Sequence, residues 1–498
     1  MGFFDGPYYV DALMDSISWT GTTGAPATVS YSFVSSPFIS GTPLTTNQQS
    51  AALASMALWS NVANITFVVD DSNQGGNADI LFAQSQLGGS TLGVTSYTIS
   101  GTTILGVDIR MDVDETGYTA GNSGFLTEMH EIGHALGLDH PGHYGGTTSP
   151  PFLSAAEDNS DHSVMSYFDG TYTNSVLFPS TPMIYDVAAI QFLYGANTSY
   201  HSGNDTYVLD SNAAGSCLWD GGGNDTLDAS AYSLGATIDL RASINNVTSI
   251  GANHMWMALG ANIENATAGN GNDTIHGNEL ANILHGGGAN DSLMGNEQND
   301  QLFGDAGRDF LQGNMGNDVL FGGDDNDTIW GGKDNDDLEG QLGADSLSGD
   351  LGNDTINGGD QNDSMLGGAG RDVMNGNQGN DTILGGDDND DIHGGQGNDS
   401  LNAGTGVDTI AGDKGNDILV GGTGNDNFVF STESGIDTVQ DFVSGDHLWV
   451  SSAVYGSAST VISHSTVVGS DTVIDWGVGN QVTLIGYTHL STTDIFII

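Results

Sequence analysis

Residues 313–330 read GNMGNDVLF followed by GGDDNDTIW, two copies of a nine-residue unit that repeats without insertion from Ala268 to Val429. The first position is Gly in 16 of the 18 units, the sixth is Asp in 17, with Asn282 as the exception, and the eighth is Ile, Leu, Met or Phe in all 18. One apolar residue per unit cannot bury a core alone, so stacking is required. The repeat therefore predicts a parallel β-roll in which two units form one coil and the apolar side chains point inward.

The Gly/Asn/Asp-rich turns of these units offer carboxylate and backbone oxygens, which suit a hard cation with six or more oxygen ligands, that is, calcium. The repeat resembles the RTX nonapeptide, and this resemblance places calcium ligands at the sixth position. A further copy, residues 221–227, lies out of register with the block. Position four is Gly in only 11 units, so we expect altered sites where it is replaced, as at Asp325. The candidate calcium ligands are Asp225, Asp273, Asp291, Asp300, Asp309, Asp318, Asp327, Asp336, Asp345, Asp354, Asp363, Asp372, Asp381, Asp390, Asp399, Asp408, Asp417 and Asp426.

The part of the chain before the repeats has the pattern of a mixed α+β domain. Apolar residues alternate with polar ones from Val29 to Phe33, as in a half-buried strand. Thr45 or Thr46 can cap a helix whose apolar residues recur at helical spacing. Residues 104–113 form a longer predicted strand.

A second motif, HEIGHALGLDH at residues 130–140, predicts a catalytic metal site. His130 and His134 are four residues apart and share one face of a helix that Ser123 could cap. Gly137 allows the helix to end and the chain to reverse, which brings His140 round as a third ligand. Three neutral imidazoles leave the fourth zinc position open for water, and Glu131 is placed to act as the general base.

Together with Val164-Met165-Ser166-Tyr167, this motif resembles the serralysin branch of the metzincin zinc proteases. The resemblance implies that Met165 forms the Met-turn beneath the metal. It also implies that Tyr167 is a fifth, movable zinc ligand that stabilises the substrate oxyanion. It further implies that the strand at residues 104–113 lies at the sheet edge above the zinc. His143 and Tyr144 stand where relatives usually carry an acidic residue, so substrate preference does not transfer.

Composition excludes several classes of function. The chain of 498 residues has 63 acidic and 6 basic residues, a formal charge of −57, which opposes binding to nucleic acid or an anionic membrane surface. A single cysteine, Cys217, allows no intrachain disulfide. No apolar run is long enough for a membrane span, and the N-terminus does not read as a signal peptide.

We therefore predict a multidomain α+β and all-β protein: a metzincin catalytic domain, a parallel β-roll and a C-terminal β-sandwich-like cap. The predicted divisions are a short N-terminal segment or propeptide at 1–28, the zinc protease domain at 29–200, a joining segment with the first roll part at 201–267, the RTX roll at 268–429 and the cap with a secretion signal at 430–498.

The predicted function is that of a secreted zinc endopeptidase with one catalytic Zn²⁺ and several structural Ca²⁺. The expected partners are protein or peptide substrates and a type I secretion apparatus that reads the C-terminal Asp494-Ile-Phe-Ile-Ile, and the expected state is a monomer. Two alternatives are a calcium-dependent surface or adhesive RTX protein with a vestigial zinc site, and an RTX lipase. The second is disfavoured because no Gly-x-Ser-x-Gly motif is present.

Overall fold

The computed structural model describes residues 12–14, 17–33, 41–70, 78–142, 153–173, 178–209, 215–477 and 479–498. The chain divides into two compact units, residues 1–227 with 239–263 and residues 228–238 with 264–498. The predicted joining segment at 201–267 is thus shared between both units, and the predicted domain limits stay predictions. Among the helices of the described residues, none has both the length and the apolar character needed to cross a membrane.

In the described part of the chain up to residue 257, strands and three helices follow one another. They are β1 (Ala27–Ser32), α1 (Thr46–Val62), β2 (Ile65–Val69), β3 (Ile80–Ser85), β4 (Gly93–Ser100), β5 (Thr103–Asp112), α2 (Ser123–Ala135), α3 (Ile184–Tyr194), β6 (Thr206–Val208), β7 (Ser216–Leu218), β8 (Thr226–Asp228), β9 (Thr237–Asp239), β10 (Thr248–Ile250) and β11 (Asn253–Met257).

The first unit is built on a mixed five-stranded sheet of order β2-β1-β3-β5-β4. Its pairs are parallel except for β4 with β5, which are antiparallel. Our expectation that residues 104–113 form the sheet edge is wrong. The chain turns tightly at Gly101, where φ is +61°, and β4 folds back on β5 to become the edge strand.

The helices cover this sheet and carry the apolar side chains of the core. Thr45 caps α1 as predicted, because its hydroxyl accepts from the Gln48 backbone while the Gln48 side chain accepts from the Thr45 backbone. Helix α2 begins at Ser123, and its N-cap is Asn122 rather than the predicted Ser123, whose hydroxyl instead donates to Glu115. Trp59 of α1, Phe82 of β3 and residues of α2 and α3 are fully buried in one hydrophobic cluster.

The second unit consists almost entirely of short strands. They are β12 (Asn265–Thr267), β13 (Thr274–His276), β14 (Ile283–Gly288), β15 (Ser292–Asn296), β16 (Gln301–Ala306), β17 (Phe310–Met315), β18 (Val319–Asp324), β19 (Thr328–Lys333), β20 (Asp337–Leu342), β21 (Ser346–Leu351), β22 (Thr355–Asp360), β23 (Ser364–Ala369), β24 (Val373–Gln378), β25 (Thr382–Asp387), β26 (Asp391–His393), β27 (Ser400–Gly406), β28 (Thr409–Ala411), β29 (Ile418–Gly424), β30 (Asn427–Phe430), β31 (Ile436–Val439), β32 (His447–Val450), β33 (Ser465–Val468), β34 (Asp471–Gly477), β35 (Asn480–Leu484) and β36 (Ile495–Ile497), with one short helix, α4 (Ala458–Ser463).

Each repeat supplies one strand, and successive strands alternate between two parallel sheets. Thus β14 pairs with β16 and β15 with β17, in register at a spacing of 18 residues, so that Leu302 lies beside Leu320. The eighth-position side chains, from Ile275 to Phe428, are at most 2% exposed. The predicted parallel β-roll with inward apolar rows is confirmed.

After the repeats, the remaining strands extend both sheets of the roll. Strands β30, β32 and β36 continue one sheet in parallel, while β31 pairs in parallel with β35 in the other. Strands β33 to β35 form an antiparallel meander. The predicted cap therefore takes the form of added strands on the two facing sheets.

Candidate zinc centre and calcium turns

Three imidazoles meet at the end of α2. His130 and His134 lie one turn apart on the helix, and Gly137, with φ of +99°, reverses the chain just beyond it. A Cβ at Gly137 would lie 2.3 Å from the Ile17 carbonyl oxygen, so a side chain cannot replace it without movement of the backbone. His140 follows, and its Nε2 lies 3.2 Å from that of His130 and 3.1 Å from that of His134.

The orientation of two of the rings is fixed by backbone carbonyls. Nδ1 of His130 lies 2.9 Å from the Val164 oxygen, and Nδ1 of His134 lies 2.8 Å from the Leu138 oxygen. A carbonyl can only accept, so each Nδ1 carries the hydrogen and each Nε2 presents its lone pair to the common centre. Burial and the neighbouring imidazoles lower the pKa of His130 and His134 to about 3 and that of His140 to about 4, so all three are neutral at pH 7.

This donor set fits zinc. Three neutral nitrogen atoms lie within 4.8 Å of one another, and two of the three imidazole rings are held by hydrogen bonds to backbone carbonyls. This arrangement matches the ligands of a catalytic zinc with one open position. Within the described residues, the predicted ligands His130, His134 and His140 form one group.

Glu131 lies beside the imidazoles on α2 and is 5% exposed. Burial raises the pKa of its carboxyl to about 7, while a hydrogen bond from Thr95 works in the opposite direction. The Thr95 hydroxyl lies 2.6 Å from Oε2 of Glu131. A carboxyl group with a pKa near neutrality can both accept and return a proton at pH 7.

In the roll, the sixth-position aspartates form a continuous ladder. From Asp273 to Asp408, the backbone N–H of each donates to Oδ1 of the aspartate 18 residues later, as from Asp336 to Asp354 at 2.9 Å and from Asp354 to Asp372 at 2.9 Å. The ladder thus joins each coil to the next along the same sheet edge.

The second oxygen of these carboxylates is buried without a hydrogen-bond partner, as expected of a buried anionic atom that serves as a cation ligand. This holds for Oδ2 in 15 of the predicted ligands. They are Asp291, Asp300, Asp309, Asp318, Asp327, Asp336, Asp345, Asp354, Asp363, Asp372, Asp381, Asp390, Asp399, Asp408 and Asp417.

The surroundings of these oxygen atoms are crowded with further oxygen. A Cβ on Gly349, a first-position glycine, would lie 2.2 Å from Oδ2 of Asp354 and 2.7 Å from the Gly367 carbonyl oxygen. Burial, followed by the charges of neighbouring aspartates, raises the pKa of Asp363 to about 7. Buried carboxylate and carbonyl oxygens in one turn fit calcium, which takes oxygen ligands and neutralises their charge.

Comparisons with known proteins agree with both sites. Residues 19–157 match the family described as Matrixin, and segments from 260 to 428 match the RTX calcium-binding nonapeptide repeat. Serralysin of Proteus mirabilis is 36% identical to this chain in an alignment 312 residues long that covers 54% of this chain and 63% of that protein. Metalloprotease AprA of Pseudomonas entomophila (strain L48) is 34% identical over 56% of this chain and 63% of its own length.

The chain is thus similar to serralysin and AprA proteases, with a matrixin-like segment at residues 19–157 and RTX-type repeats within residues 260–428. It spans about 63% of the length of the relatives just named. A crystal structure of the extracellular lipase LipA from Serratia marcescens is 21% identical over 40% of this chain and 44% of that chain, with a TM-score of 0.19, which is too low to carry an argument.

The predicted Met-turn lies against helix α2, which carries His130 and His134. Met165 is fully buried, and a Cβ on Gly133 of α2 would lie 2.7 Å from its sulfur. Tyr167 is 62% exposed, with its ring centroid 5.6 Å from that of His130 and 4.6 Å from that of His140. The phenol therefore lies next to two of the ligands, and its role as a movable ligand stays a prediction.

A residue that the motif analysis missed anchors this turn. Asp186 of α3 is fully buried and accepts hydrogen bonds from the Ser163 hydroxyl at 2.6 Å, the Val164 backbone at 2.7 Å and the Met183 backbone at 2.8 Å. Val164 in turn contacts His130, so Asp186 supports a zinc ligand through one intermediate residue. No local sequence pattern indicates this contact, which spans 22 residues.

The sequence also contains His143 and His162 near the motif. His143, like Tyr144, lies outside the described residues. His162 is half-buried, with Nδ1 3.1 Å from the Glu157 carbonyl oxygen and its ring near Tyr185.

The calcium pattern extends beyond the predicted residues. Asp437 and Asp446 accept from the backbones of Asp417 and Asp426, so the ladder continues past the last repeat although the spacing becomes 20 residues. Asp437 also has a buried Oδ2 without a partner. The motif Asp437-Thr438-Val439, which resembles the end of a repeat, was the signal available in the sequence.

A separate acidic group surrounds the out-of-register copy in the first unit. Asp225 was predicted, and the structure adds Asp205 and Asp220, whose oxygens lie within 4.8 Å of one another and of Asp225. At the other end, Asp273 differs from its counterparts because both of its oxygens accept backbone hydrogen bonds, from Ala236 and Gly269.

Proposed function

We propose that this protein is a zinc-dependent endopeptidase that hydrolyses peptide bonds with water. The observation that carries the proposal is the trio of oriented, neutral imidazoles beside a buried carboxyl whose pKa is about 7. Support comes from the similarity to proteins named serralysin and metalloprotease. The matrixin match points the same way.

Each residue has a defined task in this reaction. When bound by His130, His134 and His140, zinc supplies Lewis acidity that polarises the scissile carbonyl and makes water more acidic. Glu131 removes a proton from the attacking water and then delivers it to the leaving amine. Tyr167 is close enough to the ligands to donate its hydroxyl hydrogen to the oxyanion.

The first testable prediction concerns the general base. Glu131→Gln keeps the shape of the side chain but cannot accept the proton, so we expect casein hydrolysis to fall by about a hundredfold or more. Zinc content, measured by atomic absorption, should remain at the wild-type level because the three imidazoles are unchanged.

Glu433→Gln is the matched control for this experiment, because Glu433 is exposed and pairs only with Lys414 among the described contacts. A zinc chelator should abolish the activity of the wild type and of this control alike. Hydrolysis that persists in Glu131→Gln or in chelator would contradict the endopeptidase proposal.

We further propose that the protein acts outside the cell after calcium-coupled folding. The buried aspartate ladder supports this, since stacked carboxylates repel one another without a cation and millimolar calcium is an extracellular condition. The type I apparatus, the C-terminal signal and the monomeric state belong to the same proposal.

Removal of residues 494–498 should retain the protein in cells that carry such an apparatus, as fractionation would show. Undiminished export would refute the signal.

The adhesive alternative has no observation in its favour. An intact and oriented ligand set, with a base beside it, is not expected of a vestigial zinc site.

A further inference from the structure

The edge strand β4 contacts the general base directly. Thr95 and Gly93 are two residues apart, so they face the same side of the strand. The Thr95 hydroxyl lies 2.6 Å from Oε2 of Glu131 and 3.0 Å from the Glu131 carbonyl oxygen. A Cβ on Gly93 would lie 2.7 Å from Oε1 and 2.7 Å from Cγ of the same side chain.

These contacts give the two oxygens of the Glu131 carboxylate different surroundings. A threonine hydroxyl has one hydrogen, and the shorter distance and the larger negative charge both favour its donation to Oε2. Threonine is also stiff at χ1, so the donor itself is held in place. Oε1 is left without this hydrogen bond and lies in the space that the missing Gly93 side chain provides.

A general base gains from such an arrangement. A buried carboxylate can otherwise rotate about its last torsion, which is broad and roughly two-fold. A fixed hydrogen bond to one oxygen keeps the other aimed at the attacking water, and misplacement by about 1 Å can cost about a hundredfold in rate.

We propose that Thr95 is a positioning residue for Glu131 and that Gly93 is required to leave room for the carboxylate. This inference rests on the proposed endopeptidase function. Strand β4 would then take part in catalysis by positioning the Glu131 carboxylate through direct contact.

The test compares Thr95→Val, Thr95→Ser and Gly93→Ala in the full-length, zinc- and calcium-loaded protein on a fluorogenic peptide. Thr95→Val keeps the shape of the side chain and removes the donor. Because hydrogen bonds to charged groups are the strong ones, we expect kcat to fall about tenfold to a hundredfold with KM unchanged within about twofold. Thr95→Ser should restore most of the rate. Gly93→Ala should lower kcat by a similar factor.

Two further readouts separate positioning from a structural role. Zinc affinity, measured by competition with a chelating dye, and the thermal unfolding midpoint should both stay at wild-type values in Thr95→Val. Thr66→Val is the matched control, because Thr66 is exposed on β2 at the opposite edge of the same sheet.

The outcomes are distinguishable. Wild-type turnover in Thr95→Val, together with an inactive Glu131→Gln, would overturn the inference and leave the endopeptidase function intact. The inference would also be overturned if Thr95→Val lost zinc affinity or stability together with activity and Thr95→Ser did not restore them. A zinc-loaded wild type without peptidase activity would overturn the proposed function and with it any role of Thr95 in turnover.

Discussion

At the scale of single residues, the spacing of the motif was sufficient to predict that three histidines meet with Glu131 beside them, while their roles as ligands and base stay predictions. His130 and His134 follow from helical geometry, and His140 follows from the need for a reversal at Gly137, where the observed φ is +99°. The supporting residues could not be predicted. Thr95 and Asp186 contact the site across 36 and 22 residues of sequence, and such contacts depend on how the sheet and helices pack.

The contact between Asp186 and the Met-turn gives a second prediction. In Asp186→Asn, one carboxylate oxygen is replaced by an amide nitrogen that faces donors, either the Ser163 hydroxyl or backbone N–H groups. We expect the free energy of unfolding of the first unit to fall by about 1–3 kcal/mol. Zinc affinity should also weaken, because Val164 orients His130.

Urea unfolding followed by tryptophan fluorescence, with Trp59 buried in this core, measures the change. Asp169→Asn is the control, since Asp169 is exposed close to the same turn. An Asp186→Asn protein as stable and as tightly zinc-binding as the wild type would show that the turn is held by packing alone.

At the scale of secondary-structure elements, the repeats were predictable because each strand and turn is encoded within nine residues. The order of the strands in the first unit was harder to predict. The family resemblance implied that the strand at residues 104–113 lies at the sheet edge, yet its position was decided by the hairpin that places β4 outside it. Local propensity defines a strand, whereas its neighbours are set by the turn that follows and by tertiary packing.

The third prediction concerns Asn282, which stands where the other repeats have an aspartate. Its amide makes hydrogen bonds in the turn where we expect a calcium ion beside the aspartates. Its Nδ2 donates to the Glu264 carbonyl at 2.9 Å and to the Asn278 side chain at 3.1 Å, while its Oδ1 accepts from the Asn278 backbone. Asn282→Asp removes these donors and creates a carboxylate like that of Asp300. We expect one additional bound calcium and a loss of about 1–3 kcal/mol of stability in chelator.

Calcium stoichiometry by equilibrium dialysis and urea unfolding in chelator test this change. Asn290→Asp makes the same chemical substitution at an exposed position and should alter neither quantity much. If Asn282→Asp binds no more calcium than the wild type, the backbone geometry of this turn would exclude calcium, and the Asn282 amide would not be the cause.

At the scale of the whole molecule, the acidic composition opposed binding to nucleic acid or an anionic membrane, and the structure shows where the negative charge is concentrated. Burial raises the pKa of the ladder carboxyls, to about 8 for Asp300 and about 6 for Asp309. From these raised pKa values we infer that protons and calcium compete for the same buried oxygens, which composition could not show.

This competition gives the fourth prediction, on pH dependence. The folded-state pKa values lie above the ordinary value of 3.8, so between about pH 4 and pH 8 the folded roll binds more protons than the unfolded chain. The free energy of unfolding without calcium therefore decreases as the pH rises through this range. We expect the calcium-free protein to gain strand structure between pH 8 and pH 5.

Circular dichroism of the full chain in chelator follows this transition, with sedimentation as a check for aggregation near the isoelectric point of about 4.1. In saturating calcium the signal should change little across the same range. A calcium-free roll that stays unstructured at pH 5, or is fully structured at pH 8, would refute the exchange of protons for calcium.

The hydrogen bonds between aspartates 18 residues apart also constrain how such a chain can change its length during evolution. Loss of a single nonapeptide would keep the aspartates 18 residues apart but transfer every later strand, including the strands added after the repeats, to the opposite sheet. Loss or duplication of two units would restore the pattern after one coil. Gene rearrangements that survive selection should therefore add or remove repeats in even numbers.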